Sequence, residues 1–148
     1  MSSRRDRLVR TMDTISLVPV GVVRSTLASR TNAPRQPDEG APAARIDVDV
    51  AYRAALDGLQ AGDRIVVVTW LHAGDRTVQR VHPRGDRMRP PLGVFATRSP
   101  DRPNPIGLHD VTVTALTDAG LEVDQLEAID GTPVLDIKPV LPADVGAR

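Results

Sequence analysis

Short runs in which apolar and polar residues alternate dominate the chain, and they predict β-strands. The clearest run is Ile106–Leu116, in which Val111 and Val113 alternate with polar positions. Arg45–Val50 alternates in the same way and predicts a half-buried strand. Arg64–Leu71 is apolar at almost every position, which is typical of a strand buried on both faces or inside a barrel.

Further strands and one short helix are predicted between these runs. The remaining strands are predicted at Ile15–Arg24, Leu92–Thr97, Gly120–Ile129 and Val134–Lys138, and an Ala-rich stretch predicts a helix at Tyr52–Leu59. Two proline-rich stretches, Ser25–Ala44 and Ala73–Pro91, have no periodicity and predict long loops. Asp-Gly and Asp-Ala-Gly sequences at 130–131 and 118–120 predict tight turns.

This succession of strands defines the predicted fold class. Many strands, one short helix and long Pro-rich loops predict a mainly β protein, either an antiparallel β-barrel or a sandwich. No glycine-rich nucleotide motif and no strand–helix alternation supports a parallel doubly wound sheet. We expect one domain over residues 15–142, a flexible N-terminal arm over 1–14 and a C-terminal tail over 143–148.

Composition excludes several classes of function. The 148 residues carry no net charge and no cysteine, which excludes disulfides, thiolate metal sites and a thiol nucleophile. The three histidines lack carboxylates at ligand spacing, so no metal site is predicted. No apolar run reaches membrane-spanning length and the N-terminus lacks an apolar signal core, so we expect a cytoplasmic protein without membrane contact.

Charge is unevenly distributed along the chain. Between Arg76 and Arg102 seven arginines stand against two acids, whereas His109–Arg148 holds eight acids against two basic residues. A basic middle and an acidic end fit an anionic substrate, a head-to-tail charge match between subunits, or a mixed solvated surface.

The stretch with the most chemistry is Gly93–Leu108, which reads GVFATRSPDRPNPIGL. Its three prolines exclude a helix or a central strand and push the preceding residues toward extended geometry. Arg98, Arg102 and Asn104 therefore stand on a stiff polar loop, which suits the fixed positioning of groups around a ligand.

This stretch also resembles the signature of the TsaA/TrmO family, which is VirR-like. Four other blocks match the family in the same order: GVVRST at 21–26, PRQP at 34–37, VHPRGD at 81–86 and IDGTPVLDIKP at 129–139. The resemblance covers about residues 20–141 and is closest to the short members that consist of the barrel alone. It favours a barrel over a sandwich.

The resemblance implies an S-adenosylmethionine-dependent methyltransferase, whose type activity is N6-methylation of threonylcarbamoyladenosine beside the anticodon of tRNA. The residues that match donor-binding positions of the family are Pro34, Arg35, Gln36, His72, Ala73, Arg98, Leu108, Asp130, Gly131, Thr132 and Pro133. Methyl transfer fits the residues present because the donor sulfonium is already activated, and the protein mainly has to hold donor and acceptor in line. Ala73 and Val140 depart from the Gln and Tyr of the longer bacterial members.

The acceptor side is predicted in outline only. Asn104 is a candidate to orient the acceptor and Arg102 to hold a phosphate or carboxylate, but no residue is an obvious general base. Five further arginines, either lining a tRNA-facing groove or solvated, are Arg76, Arg80, Arg84, Arg87 and Arg89. The resemblance also implies a homodimer. Methylation of a small molecule, or binding of the donor without methyl transfer, remains open.

Overall fold

The computed structural model describes residues 14–29 and 40–142, and within them six strands form a closed antiparallel barrel. The barrel strands are β1 (Gly21–Arg24), β2 (Ala44–Val48), β3 (Arg64–Trp70), β6 (Ile106–Leu116), β7 (Gly120–Val123) and β8 (Pro133–Pro139). They neighbour one another in the order β1-β2-β7-β6-β3-β8 before the sheet closes, and β4 (Arg80–Val81) pairs with β5 (Leu92–Gly93) in a separate ribbon. The predicted barrel is thus confirmed.

The core lies inside the barrel, where the strands alternate in burial. Ile65 and Val67 of β3 are fully buried, whereas Val66 and Val68 between them are only half-buried. Of the two predicted alternatives, a strand of the barrel is therefore confirmed and burial on both faces is not found, because the outer face is covered only in part. The buried apolar side chains of the barrel are Val23, Ala44, Ile46, Val48, Ile65, Val67, Val111, Val113, Leu121, Val123, Leu126, Ala128 and Val134.

Strand β6 has the predicted bounds, while three other strands are shorter than predicted. The first strand begins at Gly21, and residues 14–19 are exposed. The strand predicted over Leu92–Thr97 ends at Gly93 and gives way to a 3-10 helix, Val94–Ala96. Strand β7 ends at Val123, because the chain turns away there and Asp124 Oδ1 accepts a hydrogen bond from the Thr112 amide at 2.9 Å.

The predicted helix is present as a 3-10 helix over Val50–Leu56, earlier than the pattern indicated. Asp49 begins it by accepting a hydrogen bond from the Ala51 amide at 2.9 Å, which satisfies an otherwise unpaired donor. A second short 3-10 helix, Pro83–Gly85, interrupts the long arginine-rich loop. The predicted arm (1–14, apart from Thr14) and tail (143–148) lie outside the described residues.

Candidate functional site: a cleft at one end of the barrel

A cleft of about 950 Å³ opens at one end of the barrel and gathers residues from five segments. It is lined by the signature loop, by the loop after β3, by the ribbon with the Pro83–Gly85 helix, by the start of β6 and by the segment before β8. The residues that line the cleft include His72, Ala73, Arg84, Arg87, Arg98, Arg102, Gly107, Leu108, His109, Glu127 and Thr132.

The signature loop is braced from within by Arg102. Its guanidinium donates to the carbonyl oxygens of Thr97 at 3.0 Å, Ser99 at 3.1 Å and Val94 at 2.5 Å. Arginine carries its donors in a rigid planar fork, which suits several fixed carbonyls at once. The Arg102 side chain thus closes the loop on itself beside the cleft. Its predicted role toward the acceptor stays a prediction, and the structure adds a bracing role.

The outer side of the signature loop is held by Arg76. Its Nε donates to the Pro103 carbonyl at 2.8 Å, and its terminal nitrogen donates to Asn104 Oδ1 at 3.1 Å. The same guanidinium lies over the Trp70 ring. Asn104 is not among the residues that line the cleft, so it lies beside the cleft and its side-chain oxygen is engaged by Arg76.

Arg98 differs from these two arginines. It lies on the same loop, lines the cleft and is exposed. Within residues 14–29 and 40–142 its guanidinium makes no hydrogen bond or ion pair, so its charge is available to a ligand. His72, Ala73, Leu108 and Thr132 line the same cleft, so five of the residues predicted to bind the donor lie together here.

Only one of the four residues in the predicted donor-binding turn lines the cleft. Thr132 lines the cleft, and its hydroxyl donates to the Ile129 carbonyl at 2.6 Å. Asp130 is exposed, and its Oδ1 accepts from the Ser25 amide at 3.1 Å, while Gly131 supplies the positive φ of 84° that the turn requires. Asp130, Gly131 and Pro133 are not among the lining residues, and their predicted role stays a prediction.

Pro34, Arg35 and Gln36 lie outside the described residues. The long loop that carries them is described as far as Ser29 and again from Gly40. Their predicted contact with the donor therefore stays a prediction.

The arginine-rich loop contributes unequally to the cleft. Arg84 and Arg87 line it, whereas Arg89 forms an ion pair with Asp86 at 3.6 Å and Arg76 supports the signature loop. Arg80 is exposed on β4. Two of the five arginines thus border the cleft, and the predicted contact of this loop with tRNA stays a prediction.

Sequence reasoning missed His109 and Glu127, which both line the cleft. His109 is only 3% exposed, and this burial lowers its pKa to about 4, so that the imidazole is neutral at pH 7. The signal was in the pattern of β6, because His109 shares the inward-facing parity of Val111 and Val113. A buried histidine in that register marks the end of the apolar core.

The described part of the chain holds neither a cluster of metal-ligating side chains nor a membrane-spanning helix. No group of three or more histidine, aspartate or glutamate side chains is close enough together there to hold a metal ion. None of the helices described is both long and apolar enough to cross a bilayer.

The sequence and fold match one family over most of the chain. The profile described as the tRNA-methyltransferase O N-terminal domain matches residues 22–144. A "probable S-adenosyl-L-methionine-binding protein" of Methanothermobacter thermautotrophicus is 45% identical over 127 residues, which cover 84% of this chain and 89% of the relative. An "S-adenosyl-L-methionine-binding protein" of Archaeoglobus fulgidus is 38% identical over 126 residues and covers 85% of this chain and 89% of that relative.

Solved structures give the same likeness. The crystal structure of TrmO from Pseudomonas aeruginosa superimposes with a TM-score of 0.71 at 32% identity. The match covers 91% of this chain but only 61% of the Pseudomonas protein, so this chain spans about three fifths of the length of that structure.

Proposed function

We infer the function from one premise, which is that this chain belongs to the tRNA-methyltransferase O N-terminal domain family. The cofactor is S-adenosylmethionine, and we propose that the chain uses it as the methyl donor of a transferase reaction. The finer proposal is N6-methylation of threonylcarbamoyladenosine beside the anticodon of tRNA. The observation that carries the proposal is the cleft, which brings together His72, Ala73, Arg98, Leu108 and Thr132.

The residues of the cleft fit a nucleoside-sized donor. The cleft has a volume of about 950 Å³, near the upper end of the roughly 300–1,000 Å³ typical of small-molecule sites. Arg98 brings an available cation, and the buried His109 brings a neutral polar group. Pro34, Arg35, Gln36 and the turn residues Asp130, Gly131 and Pro133 complete the proposed donor-binding set.

Bound S-adenosylmethionine supplies a sulfonium-activated methyl group, so the chain has to position the reactants and exclude water. Arg102 keeps the signature loop in one conformation, because three carbonyls share its guanidinium. Asn104 stands at the outer end of that loop, held by Arg76, and we assign it the orientation of the acceptor. Arg84 and Arg87 border the cleft and are assigned the contact with tRNA phosphates.

Donor binding is tested by calorimetric titration of S-adenosylmethionine into the wild type and an Arg98→Ala variant. We expect one-to-one binding by the wild type and at least a tenfold weaker affinity for the variant, because the variant loses the available cation. Arg80→Ala is the matched control, since Arg80 is an exposed arginine away from the cleft lining. Absence of binding by the wild type, with or without tRNA, would contradict the proposal.

The acceptor is tested by transfer of labelled methyl groups to tRNA. An Arg84→Ala/Arg87→Ala double variant is expected to bind tRNA more weakly and with a smaller salt dependence, because each phosphate contact contributes to counterion release. Transfer to tRNA that lacks threonylcarbamoyladenosine, at the same rate, would contradict the assignment of the acceptor.

A second candidate function is donor binding without methyl transfer. It is favoured by the two archaeal relatives, which are named as S-adenosyl-L-methionine-binding proteins. The same labelled-methyl assay separates the two functions. Donor affinity in the micromolar range with no transfer to tRNA pools or small-molecule extracts would support a binding protein.

We also propose a homodimer. Phe95 is 88% exposed and Met88 is 93% exposed, and aromatic and methionine side chains are enriched where subunits meet. Sedimentation velocity at micromolar concentration is expected to show a dimer in the wild type and a monomer in a Phe95→Glu variant. A wild-type monomer would count against this assembly.

A further inference from the structure

A polar pair lies inside the barrel at the end that opens into the cleft. Thr69 of β3 is fully buried, and its Oγ1 lies 2.7 Å from Nε2 of His109 on the neighbouring strand β6. Gly107, opposite Thr69 in the register, leaves the space through which this hydrogen bond passes. Deeper in the barrel the same inward positions are apolar, so the pair is the boundary between core and cleft.

The single hydrogen bond to Thr69 favours one tautomer of His109. The Thr69 hydroxyl has no other partner among residues 14–29 and 40–142, so a Thr69 that only accepts leaves its own hydrogen buried without an acceptor. Donation from Thr69 to Nε2 satisfies both groups and places the imidazole proton on Nδ1. The buried Nδ1 itself has no hydrogen-bond partner in the described part of the chain.

A buried N–H at the wall of a cleft calls for an acceptor, and most buried polar groups find one. His109 lines the cleft, although Nδ1 itself is shielded from solvent, so a molecule bound there supplies the acceptor when the groups that cover Nδ1 move aside. Glu127, which is half-buried, lines the same cleft, and an acidic side chain there disfavours a ligand carboxylate as the acceptor. A neutral acceptor, such as an adenine ring nitrogen or a ribose oxygen, is therefore the better match.

We propose that Nδ1–H of His109, held in place by Thr69, is a fixed donor that binds a neutral acceptor atom of the adenosyl group in the cleft. This inference rests on the proposed function, since it names a contact to the methyl donor. It makes His109 a positioning residue of donor binding and gives Gly107 and Thr69 a shared purpose. Neither nitrogen of the ring is left to act as a base in this arrangement.

Two substitutions at His109 separate the two ring nitrogens. The side-chain amide of His109→Asn reaches the position of Nδ1 but not that of Nε2, while the longer His109→Gln reaches toward Thr69 and offers nothing at Nδ1. We expect His109→Gln to weaken S-adenosylmethionine binding at least tenfold and His109→Asn to retain affinity within about threefold. Urea unfolding of each variant separates loss of fold from loss of the contact.

Methylthioadenosine, which has the adenosyl group but no amino-acid carboxylate, locates the contact on the ligand. We expect His109→Gln to weaken the binding of both ligands by the same factor. A loss for S-adenosylmethionine alone would place the contact at the amino-acid end and overturn the proposal. Unchanged binding of both ligands by His109→Gln would also overturn it while leaving donor binding, and hence the proposed function, intact.

A measurement on the unaltered protein keeps the test independent of the variants. In ¹⁵N-histidine-labelled wild type, we expect the chemical shifts to place the imidazole proton on Nδ1 of His109. We also expect the Nδ1 signal to shift when either ligand is added. A proton on Nε2, or an Nδ1 resonance that does not move at saturating ligand, would refute the inference. If the wild type binds neither ligand, the proposed function fails together with it.

Discussion

The guanidinium carbon of Arg76 lies 5.0 Å from the centre of the Trp70 ring. Trp70 ends β3, so the stack ties the signature loop to a strand of the barrel through a single side chain. The remaining donors of Arg76 reach Pro103 and Asn104 on that loop. Arg76 therefore transmits the rigidity of the barrel to the loop that borders the cleft.

Replacing Arg76 by alanine is expected to loosen the signature loop. The variant loses a cation–π contact and two exposed hydrogen bonds, each of about 0.5–1 kcal/mol, so we expect a decrease of about 1.5–3 kcal/mol in the free energy of unfolding. Urea denaturation measures it. Arg80→Ala removes an exposed arginine of similar size and should change the same quantity by less than about 0.5 kcal/mol. Equal stability of the two variants would contradict the role of Arg76.

Replacing Arg102 by lysine tests the brace inside the loop. An ammonium group cannot span three carbonyls in the plane of a guanidinium fork, so at least one charge-assisted hydrogen bond is lost. We expect a loss of about 1.5–3 kcal/mol in the free energy of unfolding and faster proteolytic cleavage near residues 97–103. Arg98→Lys is the matched change on the same loop, and it should leave both readouts close to wild type.

The strands were predictable because they alternate in the sequence, whereas the choice of a barrel over a sandwich came from the family resemblance. The inward positions of Ile106–Leu116 follow from Val111 and Val113 alone, and the structure keeps the predicted bounds of this strand. Elsewhere strand ends depend on partners that the pattern does not contain. Leu92–Thr97 reads as a strand, but only Leu92 and Gly93 find a partner before the chain bends into a 3-10 helix.

The candidate site was predictable at the level of segments but not of single contacts. His72 and Arg98, which the resemblance singled out, both line the cleft. By contrast, nothing in the sequence distinguishes the available Arg98 from Arg102, whose donors are engaged by carbonyls. That difference depends on the path of the backbone between the prolines, which only the folded chain shows.

Gly107 is expected to tolerate no side chain. A Cβ at this position would lie 2.6 Å from Thr69 Oγ1 and 2.7 Å from His109 Nε2, within the hydrogen bond that joins them. We expect Gly107→Ala to lower the free energy of unfolding by about 1–3 kcal/mol, as is typical of overpacked cores. It should also weaken S-adenosylmethionine binding, because the imidazole is displaced.

Gly93→Ala is the matched control for Gly107→Ala. A Cβ on Gly93 would meet no atom within 4 Å, and its φ of −59° suits any residue. We expect the free energy of unfolding to change by less than about 0.5 kcal/mol, or to rise slightly, because alanine restricts the unfolded chain. Similar losses in the two variants would show that the Gly107 effect does not come from the Thr69–His109 contact.

The buried imidazole of His109 should make stability depend on pH. Burial lowers its pKa from 6.5 to about 4. The unfolded chain takes up the proton below pH 6.5, whereas the folded chain takes it up only below about pH 4, so acid favours unfolding between these values. The stabilisation is fully present above pH 6.5 and declines as the pH falls to about 4, by about 3 kcal/mol at most.

The measurement compares wild type with His109→Gln, because the other titrating groups are common to both. Urea unfolding from pH 7 to pH 4.5 should show that the free energy of unfolding falls more steeply in the wild type than in the variant. Any stability advantage of the wild type over His109→Gln should therefore shrink as the pH falls. Thr69→Val retains the imidazole and should keep the pH dependence at a lower overall stability. Parallel curves for wild type and His109→Gln would show that His109 is not buried in the neutral form.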